Sequence, residues 1–124
     1  MNGLGTPSFR PSADDEVGRS ALIARIWRGW TSHEDADEYV DYLQATGMKA
    51  YRTSPGNRGA YILRRPEHDR TEFVTLSFWE SLEAVRAFAG EEIEQAVFYP
   101  EDDRYLVERE RTVSHYELIE AAEN

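Results

Sequence analysis

Apolar side chains along this chain follow two rhythms. In some stretches they fill both alternating positions of β-branched and aromatic runs; in others they return every three or four residues. Phe73 to Trp79 has strand length and strand composition, Ser81 stands where a helix cap would, and Gly90 where a helix would stop. Thr71 to Gly90 therefore predicts strand, cap, helix and stop. At the join sits Trp79, a large side chain with one polar atom, placed where a pocket could meet the core. Ala21 to Trp30 is similar, with Leu22, Ile23, Ile26, Trp27 and Trp30 broken by Arg25 and Arg28, and predicts a first strand buried on two faces over much of its length.

Thr31 and Glu34 have the spacing of a capping box, and Asp35, Asp37 and Glu38 put negative charge where a helix N-terminus favours it. Ala36, Tyr39, Val40, Leu43 and Gly47 then recur at helical spacing, which predicts a first helix from about Ser32 to near Ala50. Ser54-Pro55-Gly56-Asn57 is turn chemistry, and Ala60 to Arg64 a short second strand. The polar link Arg65 to Arg70 joins it to the third strand as a hairpin. Glu91 to Val97 suggests a helical turn or two, Pro100 with Glu101, Asp102 and Asp103 breaks the chain, and Arg111 to Ile119 suits a last strand. Residues 1–20, rich in Gly and Pro, predict a flexible N-terminal arm ahead of a single domain over 21–120.

The order β-α-β-β-α-β is the ferredoxin-like arrangement: an α+β fold with a four-stranded antiparallel sheet and helices on one face. Yet Phe73, Thr75, Ser77 and Trp79 lie on one alternation of the third strand and Val74, Leu76 and Phe78 on the other. A sheet apolar on both faces needs a second layer, and 124 residues hold no spare elements for one, so a homodimer joined sheet to sheet is expected.

Composition narrows the function. With no cysteine, thiol nucleophiles, thiolate metal sites and disulfides are excluded. A formal charge of -10 repels phosphate backbones and anionic lipid heads, so neither nucleic acid nor membrane is an expected partner. Without a signal-peptide pattern or a spanning segment the chain predicts a cytoplasmic protein. His33, His68 and His115 are far apart and form no recognised metal pattern, so no metal site is expected. His115 differs in lying within a predicted strand, where it is either a hydrogen-bonded structural side chain or a pocket acid or base. Arg25 either pairs with a carboxylate or holds the oxygen of an enolate or phenolate. Trp27, Trp30 and Trp79 are core residues unless one of them stacks on a ligand.

Four segments together carry a resemblance: Ile23 to Thr31, Gly59 to Arg65, Phe73 to Gly90, and His115-Tyr116-Glu117. Their order and spacing resemble the antibiotic-biosynthesis monooxygenase family of dimeric α+β barrels over Ala21 to Ile119. The resemblance implies a pocket between sheet and helices in each subunit. It also implies chemistry ranging from oxygenation of phenols or anthrones without metal or flavin, through haem opening, to isomerisation. Trp79 matches the tryptophan at the end of the third strand in the quinone-forming and haem-degrading groups, while Thr75 stands where the former carry asparagine. The haem group's asparagine and histidine are replaced here by Ala24 or Arg25 and by Val97 or Phe98, which removes the iron ligand. The implied activity is a cofactor-independent monooxygenase acting on a small aromatic or polyketide-like substrate. In it Trp79 shapes the pocket, Arg25 stabilises an anion, His115 transfers a proton, and Thr75, Trp27 and Phe73 contact substrate. The alternatives are a non-catalytic dimer that binds a small hydrophobic molecule, or an isomerase or lyase on the same scaffold.

Overall fold

The structure, a computed structural model, describes residues 22–122; the expected arm at 1–20 lies outside them. Its elements run β1 (Ile23–Thr31), α1 (Ala36–Ala45), α2 (Gly47–Thr53), β2 (Asn57–Pro66), β3 (Thr71–Trp79), α3 (Leu82–Ala89), α4 (Asp102–Tyr105), β4 (Leu106–Arg109) and β5 (Ser114–Glu117). All strand pairs are antiparallel, in the order β2-β3-β1-β4, with β5 also on β1. The ferredoxin-like α+β architecture expected from the sequence is present, with the sheet open. Among the described residues no helix is long and apolar enough to cross a membrane.

The fourth strand differs from the expectation. Instead of one strand over Arg111 to Ile119, two short ones share the β1 edge: β4 opposite Gly29 to Thr31, β5 opposite Ile23 to Ile26. They are one interrupted strand. Residues 110–113 form no regular strand between them: Glu110 N–H still bonds the Arg28 carbonyl of β1 at 3.0 Å, but the Glu110 carbonyl accepts from the Trp27 indole N–H at 2.7 Å, and Val113 turns into the core. Of the predicted helical turns at Glu91 to Val97 a single turn forms, Gln95 N–H to the Glu92 carbonyl, because the segment otherwise bonds outward to the same interruption, through Ala96 N–H to the Arg111 carbonyl and Val113 N–H to the Glu94 carbonyl.

Helix formation departs from expectation at both ends of the first helix. No Thr31 capping box forms; Thr31 is buried and donates to the Ser32 carbonyl, while the Ser32 hydroxyl accepts from Asp35 N–H. At the other end Thr46 stops α1, its amide and hydroxyl both bonding back to the Tyr42 carbonyl, a local bond that competes with continuing the helix. A second helix, α2, then starts after Thr46, whose backbone is not helical. By contrast α3 follows its local signals closely: the Ser81 hydroxyl accepts from Ala84 N–H, and Gly90 ends the helix at φ +95°.

The helices cover the face of the sheet that carries Arg25, Trp27, Phe73, Thr75, Ser77 and Trp79. Beneath them lie two core clusters. One gathers Trp27, Tyr39, Leu43, Phe73, Tyr105 and Val113; the other is built on Ile23, Trp79 and Val85, with Tyr51 and Phe88 against it. The opposite face carries Ile26, Val74, Leu76 and Phe78, half-buried, beside Tyr61, Leu63 and Tyr116, each about half exposed.

Candidate functional site

A cavity occupies the seam between the two clusters. Its floor is Arg25 and Trp27 from β1 and Thr75 from β3, its roof Tyr39 and Leu43 from α1 and Met48 and Tyr51 from α2, and its side walls Phe88 and residues 96–99, with Asp102 at α4. Met48 and Tyr51 come from α2, which begins after the break at Thr46. The volume of the cavity is about 40 Å³.

Arg25 dominates the chemistry. It is 4% exposed, and its Nη1 donates to the Ile93 carbonyl at 2.6 Å and to His115 Nε2 at 3.0 Å, while Nη2 donates to the Gln95 carbonyl at 3.0 Å. Its guanidinium carbon lies 5.8 Å from the centre of the Phe88 ring. All three acceptors are neutral. Among the described residues no carboxylate forms a salt bridge with it, although surface arginines of the same chain find many. Burial lowers its pKa, with Tyr51 and Glu94 opposing, yet an arginine stays charged in a protein. Among the described residues, then, this buried cation has no carboxylate in contact, and it lines a largely apolar cavity that also holds the Asp102 carboxyl.

His115 faces Arg25 across the β1–β5 ladder. Because a guanidinium only donates, Nε2 must be the bare nitrogen and the ring is neutral with its proton on Nδ1. Burial first, and the Arg25 charge second, lower its pKa from 6.5 to about 4, against a small opposing effect of Glu94. It does not line the cavity. Its lone pair is already taken by Arg25, so it holds the guanidinium in place from behind.

The other sequence-predicted residues divide. Thr75 and Trp27 line the cavity together with Arg25, whereas Trp79 and Phe73 do not. Trp79 is fully buried, its indole N–H donates to the Ser77 hydroxyl at 2.9 Å, and its ring packs 5.1 Å from Phe88 and 6.1 Å from Tyr51. It shapes the cavity at second hand, through the two rings that form the wall. Phe73 lies edge-on to Tyr39 at 4.9 Å in the other cluster. Sequence reasoning missed Tyr51, Tyr39 and Asp102. Tyr51 carried a signal, since it follows Gly47 and Met48 at helical spacing; Asp102 was hidden in an acidic run.

No histidine lines the cavity among the described residues: His33 Nδ1 lies 2.9 Å from Thr71 Oγ1 just before α1, and His68 is in the β2–β3 loop. A haem iron would find no imidazole there. Among the described residues no three His, Cys, Asp or Glu side chains are gathered as a metal would need.

Comparison with known proteins agrees with the fold. A family model described as antibiotic biosynthesis monooxygenase matches residues 23–98. No curated protein matches the chain. Among solved structures, a putative antibiotic biosynthesis monooxygenase from Bacillus cereus superposes with a TM-score of 0.60 at 13% identity, over 84% of this chain and 99% of that one. A heme-degrading protein from Mycobacterium tuberculosis gives 0.52 at 20% identity, over 86% and 100%. SnoaB, a cofactor-independent oxygenase from Streptomyces nogalater, gives 0.52 at 18% identity, over 84% and 97%. At these identities the likeness is one of fold.

Proposed function

The chain belongs to the antibiotic biosynthesis monooxygenase family, and from that premise we propose that it is a cofactor-independent oxygenase of a small aromatic or polyketide-like substrate. The observation that carries this reading is Arg25, a buried guanidinium that no carboxylate of the described residues contacts, set in a cavity lined largely by apolar and aromatic side chains. Such a group stabilises a negative oxygen more than a neutral one, and so favours the anion formed when a phenol or anthrone loses a proton. The anion passes an electron to dioxygen, the two radicals couple, and loss of water leaves a carbonyl. In sum a CH₂ and O₂ become C=O and H₂O. The protein binds, excludes water and holds the anion. Arg25 carries the charge, His115 orients Arg25, Trp27 and Thr75 contact the substrate, and Trp79 and Phe73 hold the walls.

The apolar outer face supports a homodimer. Tyr61, Leu63 and Tyr116 are each about half exposed beside Leu76 and Phe78, a patch that a second copy would cover. Freedom from cysteine suits a cytoplasmic setting.

The test is oxygen uptake with a panel of anthrones and hydroquinones, comparing wild type with Arg25→Met. Uptake that falls at least tenfold in the variant supports the reading; equal uptake in both refutes the site. The largely apolar lining favours one other reading, a non-catalytic dimer that binds a small hydrophobic molecule, which predicts saturable binding with no uptake. Isomerase or lyase chemistry would proceed without oxygen.

A further inference from the structure

The oxygenase reading leaves one role unfilled. Something must take the proton whose loss creates the anion that Arg25 holds. His115 does not reach the cavity, and its one free lone pair accepts from Arg25. Of the titratable groups on the wall, Arg25 is a permanent cation, and Tyr39 and Tyr99 are phenols that burial pushes further from ionising. Asp102 is the one carboxyl lining the cavity among the described residues.

We propose that Asp102 is the proton acceptor of this site: its carboxylate takes a proton from an acidic CH₂ or hydroxyl of the substrate, and the electron pair left behind is held as an enolate or phenolate against Arg25. The step is a proton transfer alone. It needs no oxidant, so it serves oxygenase and isomerase chemistry equally, and deepens the reading above without depending on its oxygen step.

The geometry supports this role. Asp102 is 4% exposed, so water competes little for it. Its Oδ2 accepts from Tyr99 N–H at 2.6 Å, which fixes the carboxyl plane, and its Oδ1 accepts from no donor among the described residues. The groups around it are Tyr39 and Tyr42 on α1, Tyr99, the neighbouring Asp103, and Arg109 on β4, whose guanidinium is paired with Asp103. Burial raises the pKa of Asp102, while the Tyr99 amide and Arg109 hold it back. A carboxylate whose pKa is raised is a stronger base.

The experiment reads proton transfer directly. Anthrone is incubated anaerobically with the protein in D₂O, and loss of its C10 protons is followed by NMR for wild type and Asp102→Asn. The amide oxygen of Asn can still accept from Tyr99 N–H, and if that variant fails to fold, Asp102→Ser offers a hydroxyl for the same bond. Wild type should speed exchange about 10²-fold or more over buffer, and the variant should lose most of it, with binding of 1,8-dihydroxyanthraquinone by fluorescence quenching within about twofold. Exchange by the variant within about threefold of wild type, or no acceleration by wild type, overturns the proposal. Oxygen uptake measured alongside separates the two readings. Exchange without uptake refutes the oxygenase and leaves Asp102 standing; uptake with exchange unimpaired in the variant does the reverse.

Discussion

Acidification should destabilise the protein through His115, and by an amount that can be worked out. In the native state the ring sits against the Arg25 guanidinium and is protonated only near pH 4, against 6.5 for the ordinary side chain. Between those values the unfolded chain binds a proton that the native one refuses. Stability therefore rises with pH across that window. The contribution is present in full above about 6.5, is lost progressively on going down, and is constant again below about 4. The interval corresponds to roughly 3 kcal/mol at 1.36 kcal/mol per pH unit. Because the ring is partly exposed, solvent screens some of the Arg25 charge, and about 2 kcal/mol is expected.

Carboxylates also titrate there, so the effect has to be read as a difference. His115→Gln keeps an acceptor for Arg25 and cannot ionise. Urea unfolding at about pH 7.5 and about pH 4.5 should show wild type losing roughly 2 kcal/mol more than the variant. A second readout is the NMR titration of the His115 ring, which should move upward in Arg25→Met, where the second-largest cause of its depression is gone, and downward in Glu94→Gln. Parallel stability curves, or a wild-type ring titrating near 6.5, would refute the Arg25–His115 contact.

Other outcomes follow from packing. Gly29→Ala would put a methyl 2.3 Å from the Trp27 ring, which cannot swing away because its indole N–H is bonded to Glu110; a loss of about 1–3 kcal/mol in chemical denaturation is expected. Ser81→Ala removes the α3 cap and should cost about 1 kcal/mol, whereas an unchanged denaturation midpoint would show the cap to be inert. Trp79→Ala opens a hole between both aromatic walls and should cost about 3–5 kcal/mol; melting within a degree of wild type would contradict its place in the core. Leu76→Glu on the outer face should give a folded monomer by light scattering, and an unaltered mass would remove that face from the interface.

Much of this architecture was legible because its signals are local. Between Thr71 and Gly90 the alternation, the cap and the stop lie within 20 residues, and each acts on its own neighbours. Arg25, Trp27 and Thr75 could be placed on one face for the same reason, since period two decides the face of a strand. It does not decide which core cluster a residue joins. Phe73 and Trp79 share the face of Thr75, yet one packs under α1 and the other under α3. The split fourth strand was hidden because β4 has four residues and owes its existence to pairing with β1, far away in sequence. Asp102 was hidden more deeply. Among Glu101, Asp102 and Asp103 only one is buried, and nothing in an acidic triplet says which one.

Two departures from regular structure, neither visible in the pattern, build the cavity. Glu110 keeps its N–H on the Arg28 carbonyl of β1, but the strand breaks after it and its own carbonyl accepts from the Trp27 indole, whose ring lies across Gly29, where the missing side chain makes room. Had α1 continued past Thr46, Met48 and Tyr51 would not close the roof. Between these irregular pieces sits a guanidinium with neutral partners only, in a chain of 24 acidic residues that had no shortage of carboxylates to offer. An unpaired buried charge is costly. On the proposed oxygenase reading, the enolate or phenolate of the substrate is the anion that completes the pair.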